Sequence, residues 1–126
     1  MKKNIIKEFI KISIDSWSDE LNNSFTRNLF KSIAHWNIFL LIAENTFFSK
    51  NYSFEKLCRL INPSVASRAT IQRILSELID LKFIEKKINV SDSRVKYFYL
   101  TDEGINLFSQ YVENEMKTFK SLRDVL

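Results

Sequence analysis

The sequence predicts a mainly α fold with a small two- or three-stranded antiparallel β wing, the winged helix-turn-helix arrangement. Three observations carry this reading. The stretch Asp92 to Gly104 (DSRVKYFYLTDEG) opens with an Asp-x-Arg turn between two segments that alternate like strands, and closes on Leu-Thr-x-x-Gly, where a helix begins. Immediately upstream lies an amphipathic helix with Arg and Gln on its outer side. The 126 residues include one Gly and one Pro, so tight hairpin turns should be scarce and helices plentiful.

Each element follows from local pattern. Lys2 to about Leu21 carries Ile5, Ile6, Phe9, Ile10, Ile12 and Trp17 at three- and four-residue steps, an amphipathic helix that Asn22, Asn23 and Ser24 interrupt. A second helix is expected from Phe25 to about Ala43, with Leu29, Phe30, Ile33, Trp36, Leu40 and Ala43 as its stripe, and Phe47 and Phe48 lead into a polar turn. Ser53 is a candidate N-cap for a short helix, which Asn62-Pro63-Ser64 ends because Pro63 disfavours a helical Asn62. Ser64 or Ser67 caps the next helix, which runs to about Lys82 with Ile71, Ile74, Leu75, Leu78 and Leu81 inward. Its outward residues are Ala69, Arg73, Ser76 and Asp80, flanked by Thr70 and Gln72, with Arg68 nearer the edge. Phe83 to Val90 and Lys96 to Leu100 favour strands, joined by a turn at Ser91-Asp92-Ser93. Thr101 caps the last helix, with Asp102 and Glu103 in the first turn, where the helix dipole favours them.

Apolar residues make up 45% of the chain, enough for one core without staples. The single cysteine, Cys58, rules out an internal disulfide and fits a reducing compartment; its apolar neighbours suggest a small buried hydrophobe rather than a redox sensor. No apolar run is long enough to span a bilayer, and Lys7, Glu8 and Lys11 break any secretory pattern. A soluble, cytoplasmic protein without membrane association is the expectation. No nucleophile with a base partner, Gly-rich phosphate loop or Cys/His cluster supports an enzyme, a cofactor or a metal site. His35, the only histidine, reads as structural or partly exposed.

The net charge is +4, and its distribution matters more than its size. Glu55 to Lys96 holds nine basic and five acidic residues, an excess of four, while the two flanks cancel. Phosphate attraction needs a basic excess on such a segment, and a merely solvated basic surface shows the same count.

With the elements in this order, the chain resembles the multiple antibiotic resistance regulator (MarR) family. The resemblance rests on Asp92-x-Arg94, five further residues, then Leu100-Thr101-x-x-Gly104. It rests also on Ser67-Arg68-Ala69-Thr70-Ile71-Gln72-Arg73 at the start of the recognition helix, and on Leu78 through Lys87 as the exit into the wing. The chain departs from the family pattern twice. Lys82 stands where a Gly usually precedes the first wing strand, and Asn62-Pro63-Ser64 lengthens the turn before the recognition helix.

The resemblance implies a single domain over 1–126, with 25–101 as a DNA-reading core and 1–22 and 102–126 as dimerisation helices. It implies a homodimer on double-stranded DNA, with recognition helices (about 67–81) in successive major grooves and wings (about 89–96) in the flanking minor grooves. The implied role is a transcriptional regulator, often a repressor, sometimes relieved by a small ligand. Ile5, Phe9, Ile12, Phe108, Val112, Met116 and Phe119 would then meet the second copy. Arg94 would be the wing-tip arginine and Asp92 would hold its guanidinium. Whatever the family, an arginine at the tip of an exposed turn suits a narrow, negative minor groove.

The other candidate contacts carry two readings each. Gln72 and Arg73 have the chemistry to read adenine and guanine edges, and are equally ordinary helix-surface residues. Ser67, Arg68 and Thr70, near the helix start, suit phosphates better than bases, and Ser76 shares their outer side. Lys86, Lys87 and Lys96 are phosphate contacts or solvated strand charges. Two other functions share these features: a winged-helix module that docks a protein, and a DNA-binding protein of replication or the nucleoid.

Overall fold

A computed structural model describes residues 2–125. Its elements in chain order are α1 (Lys2–Leu21), α2 (Ser24–Leu29), α3 (Ile33–Phe48), α4 (Phe54–Leu60), α5 (Arg68–Asp80), β1 (Ile84–Ile88), β2 (Lys96–Leu100) and α6 (Asp102–Val125). The chain divides into two compact units, Leu29–Asn106 and the segments on either side of it. The fold class is the expected one: mainly helical, with a two-stranded antiparallel sheet.

Within Leu29–Asn106, α3 supplies Ile38, Phe39 and Ile42, α4 supplies Leu57, and α5 supplies Ile71, Ile74, Leu75 and Leu78 to one core closed by Phe83, Ile84, Phe98 and Leu100. The expected inward stripe of α5 holds except for Leu81, which is exposed. Leu81 caps the helix C-terminus instead of extending it, and the helix ends at Asp80 rather than about Lys82.

The helix expected from Phe25 to Ala43 is two helices, separated by Phe30, Lys31 and Ser32. Ser32 is extended (φ −157°, ψ 163°) and its hydroxyl accepts from the His35 N–H, so it starts a new helix rather than continuing the old one. α3 then runs to Phe48, with Phe47 and Phe48 in its last turn. The stripe expected of it matches the buried face only in part. Ala43 is buried and Trp36 half-buried, but Ile33 and Leu40 are exposed, and Ala34, His35, Ile38, Phe39, Ile42 and Asn45 complete the buried face. α3 is apolar on nearly every side, so no single face stands out in its sequence.

β1 and β2 pair from Ile84↔Leu100 to Ile88↔Lys96. The first strand is shorter than Phe83 to Val90 because Asn89 and Val90 enter the turn. The far edge of β2 is also occupied. Phe98 N–H donates to the Tyr52 carbonyl (3.1 Å), Asn45 Nδ2 donates to the Phe98 carbonyl (2.7 Å), and Leu100 N–H donates to Thr46 Oγ1 (2.9 Å). α3 and the segment before α4 thus fasten the wing at its base, leaving the 89–95 tip to project.

The junction from α5 to β1 falls on Lys82, with φ 64°. Lys82 N–H bonds the Ile79 carbonyl and Phe83 N–H bonds the Leu78 carbonyl, the paired pattern that closes a helix on a left-handed residue. Ser49 and Asn51 are the other left-handed positions among the described residues. Gly104 occupies none of them: it lies in the first turn of α6, where the Phe83 carbonyl comes close.

In the other unit, Asn23 Oδ1 accepts from Phe25 N–H (2.8 Å) at the start of α2, and Phe25 and Thr26 are buried. α1 buries no residue completely. Its Ile6, Phe9, Ile10, Ile14, Trp17 and Leu21 are exposed, as are Val112, Met116 and Phe119 of α6. Among the described residues no helix is long and apolar enough to cross a membrane.

Candidate nucleic-acid interface

α5 starts at a capped N-terminus. Ser67 Oγ accepts from Thr70 N–H (3.2 Å) and donates to Thr70 Oγ1 (3.1 Å), so both hydroxyls first serve the cap. The free N–H groups of a first helical turn suit an anion, and Arg68 adds a positive charge beside them. Arg68 is itself engaged: its Nη1 and Nη2 donate to Glu55 Oε2 and Oε1 at 3.0 and 2.6 Å, and its guanidinium lies 5.1 Å from the centre of the Phe54 ring. The guanidinium beside Glu55 holds that carboxyl below its usual range.

One turn on, Gln72 and Arg73 are exposed. Arg73 Nη1 donates to Glu77 Oε1 at 2.8 Å, and Glu77 Oε2 accepts from His35 Nε2 at 2.9 Å. The His35 hydrogen bond first, with the nearby Arg73 guanidinium, holds Glu77 below the ordinary carboxylate value. Ser76 Oγ donates to the Gln72 carbonyl (3.1 Å).

The wing tip is built from side chain to backbone bonds. Asn89 Oδ1 accepts from Ser91 N–H (2.9 Å), Asp92 Oδ1 accepts from Arg94 N–H (3.0 Å), and Asn89 N–H closes the loop on the Val95 carbonyl (2.8 Å). Asp92 also receives the Arg94 guanidinium, Nε on Oδ1 and Nη2 on Oδ2, each at 3.1 Å. That side-chain fork, with the backbone bond second, draws the Asp92 carboxyl below its usual range. The arginine side chain remains 88% exposed, so the carboxylate orients the guanidinium without hiding it.

Between α5 and the wing runs a groove of about 580 Å³. Gln72 and Ser76 line it from α5, Lys86 from β1, and Arg94 and Lys96 from the wing. Its floor is apolar, with Leu75, Ile79, Val95 and Phe98. Five residues singled out in the sequence therefore share one concavity. Ser67, Arg68, Thr70, Arg73, Lys87 and Asp92 are not among its lining. Lys87 pairs with Glu85 (3.1 Å) and sits 5.5 Å from the Tyr99 ring centre.

Sequence reading missed Ser53, Phe54 and Glu55, which form the α4 end of the groove. Glu55 meets Arg68 across thirteen residues, a contact no local pattern discloses. It also missed Glu77 as the carboxylate joining His35 to Arg73, although Arg73 and Glu77 stand four apart on one helix. Cys58 is half-buried rather than buried, and burial pushes its thiol pKa up, against thiolate reactivity. No group of three or more potential metal ligands occurs among the described residues.

No protein-family model matches the sequence, and no curated protein matches it. Solved structures do match the fold. FabT of Streptococcus pneumoniae, solved in complex with DNA, is 16% identical with a TM-score of 0.63, over 96% of this chain and 81% of that one. A mutant of S. aureus MepR, bound to an oligodeoxyribonucleotide, is 15% identical with a TM-score of 0.61, over 93% and 83%. MarR itself is 19% identical with a TM-score of 0.55, over 94% and 82%. The fold of this chain resembles that of the MarR-type winged-helix regulators.

Proposed function

We propose that this chain is a DNA-binding transcription regulator, not an enzyme, and that it works as a homodimer in the cytoplasm. One observation carries the reading: the groove joining Gln72 and Ser76 of α5 to Lys86, Arg94 and Lys96 of the wing. It pairs amide and hydroxyl groups suited to base edges with cations suited to phosphate. The basic excess of the Glu55 to Lys96 segment supports it, because phosphate neutralisation with release of counterions drives such binding.

In this reading α5 enters the major groove by its capped N-terminal end. Ser67, Arg68, Thr70 and Lys87 meet phosphates, Gln72 and Arg73 meet base edges, and Asp92 presents Arg94 to the minor groove. The uncovered apolar residues of α1 and α6, including Phe9, Val112, Met116 and Phe119, support a second copy as the partner, with Ile5, Ile12 and Phe108 at its margin. Selection of bound duplexes from a random pool tests the proposal. The expected result is an inverted repeat with half-sites about 34–36 Å apart, one DNA turn. A pool that stays random would contradict it.

A further inference from the structure

α5 and α3 share a chain of hydrogen bonds that ends at Arg73. Its inner end is His35, 6% exposed. His35 Nδ1 lies 2.7 Å from Ser32 Oγ, and Nε2 lies 2.9 Å from Glu77 Oε2. A carboxylate can only accept, so Nε2 carries the proton. The other Glu77 oxygen, Oε1, accepts from Arg73 Nη1 at 2.8 Å.

The usual ion pair four residues apart on a helix is loose, because both long side chains stay mobile and solvent screens them. Here one carboxylate oxygen is held by a buried ring on a different helix, so the guanidinium meets a fixed acceptor. Among the described residues only one of its five N–H groups is taken. Enough remain to make the two parallel bonds that guanine accepts. Lys31 is the other cation acting on Glu77, and it does not take this bond.

We infer that His35, acting through Glu77, is a positioning residue that sets the guanidinium of Arg73 for base recognition; the inference rests on the DNA-reading proposal. Fixing the arginine beforehand leaves less rotamer freedom to lose on contact. Discrimination between base pairs therefore depends on a histidine buried behind the reading helix.

Two readouts on the full chain test this. The first is 15N relaxation of the Arg73 Nε–Hε group in the protein without DNA. The group should be ordered in the parent and mobile in both His35→Gln and Glu77→Gln. The second is the ratio of affinities for the selected duplex and a random duplex. His35→Gln, Glu77→Gln and Arg73→Ala should each lower that ratio about tenfold with little change on the random duplex. Combining Glu77→Gln with Arg73→Ala should add nothing to Arg73→Ala. Unchanged Arg73 motion, an unchanged ratio, or losses that multiply would overturn the inference. Should His35→Gln fail to fold, Glu77→Gln at the half-exposed position decides it alone. A parent that binds no duplex would refute the DNA-reading proposal instead, and the relaxation measurement would still judge the relay.

Discussion

Gly104 packs against the backbone carbonyl of Phe83, the residue that leads α5 into the wing. A Cβ at position 104 would run into that oxygen and lie 3.1 Å from the carbonyl carbon. Thr101 reinforces the same junction. Its N–H donates to the Phe83 carbonyl (3.1 Å), its hydroxyl donates to the Lys82 carbonyl (2.6 Å), and its oxygen caps Gly104 N–H (3.0 Å). The Leu-Thr-x-x-Gly motif is thus a weld between the end of the wing and its beginning. Gly104→Ala should gain the helix preference of alanine and lose more to overlap. A net loss of about 2 kcal/mol in unfolding free energy is expected, read from urea denaturation.

Lys82 performs a glycine's task at φ 64°. A left-handed residue with a Cβ costs roughly 1–2 kcal/mol. Lys82→Gly should stabilise the chain by about 1 kcal/mol, whereas Lys82→Ala should not. Thermal unfolding of the two variants side by side checks this.

The arginines and Gln72 should separate by the kind of contact they make. Arg94→Ala should weaken binding to every duplex and flatten the dependence on salt by about one ion. Gln72→Ala and Arg73→Ala should change which duplexes are preferred, by about 1–3 kcal/mol at one position of each half-site. Mobility-shift titrations against matched and mismatched duplexes distinguish the two patterns. Asp92→Ala, which frees the Arg94 guanidinium from its fork, should lie between parent and Arg94→Ala.

The apolar residues on α1 and α6 should govern assembly. Phe119→Asp or Phe9→Asp places a charge in the proposed contact, where desolvation of an unpaired carboxylate is costly. Sedimentation equilibrium should show a dimer for the parent and a monomer for these variants. An unchanged dimer would move the contact elsewhere.

Glu20 and Glu115 form an acidic pair beside Asp15, Asp19 and Tyr111, around a cavity of about 330 Å³. Burial first, then the hydrogen bond with Glu115 and its charge, raise the Glu20 carboxyl to about 7; burial first also pushes Tyr111 up to about 12. A carboxyl whose folded value lies above its unfolded value contributes stability below about 4.5, and that contribution is lost as pH rises through about 7. The parent should therefore lose stability between these values, and Glu20→Gln should remove most of that slope. Solvent reaches the pair, so a change on the order of 1 kcal/mol is expected. Melting temperature against pH for parent and variant provides the check.

Much of this fold is legible in the sequence because its signals are local. Ser53 and Thr101 announce two helix starts and the pair Ser64 and Ser67 a third, which the structure gives to Ser67. β-favouring runs on either side of Asp92 announce the wing, and Ile71, Ile74, Leu75 and Leu78 announce the buried side of α5. The failures are of another kind. Ser32 also caps a helix, but α3 is so uniformly apolar that its sequence hides both the break before it and its inner face. The position of Lys82 is recognisable as one that needs a left-handed residue, and that conformation is adopted without glycine. Of the residues lining the groove, Gln72, Ser76, Lys86, Arg94 and Lys96 are each nameable from the chain alone. Glu55 and His35 are not, because the bonds to Arg68 and Glu77 join residues far apart in sequence. The spacing of Glu77 from Arg73 is local, but its buried partner is not.

Equilibrium binding of the parent to a random duplex, titrated across 50 to 200 mM salt, tests the central claim most directly. For a protein that neutralises several phosphates, affinity should fall by about 10³-fold or more over that range. Affinity that is absent, or independent of salt, would contradict the assignment of this surface to DNA.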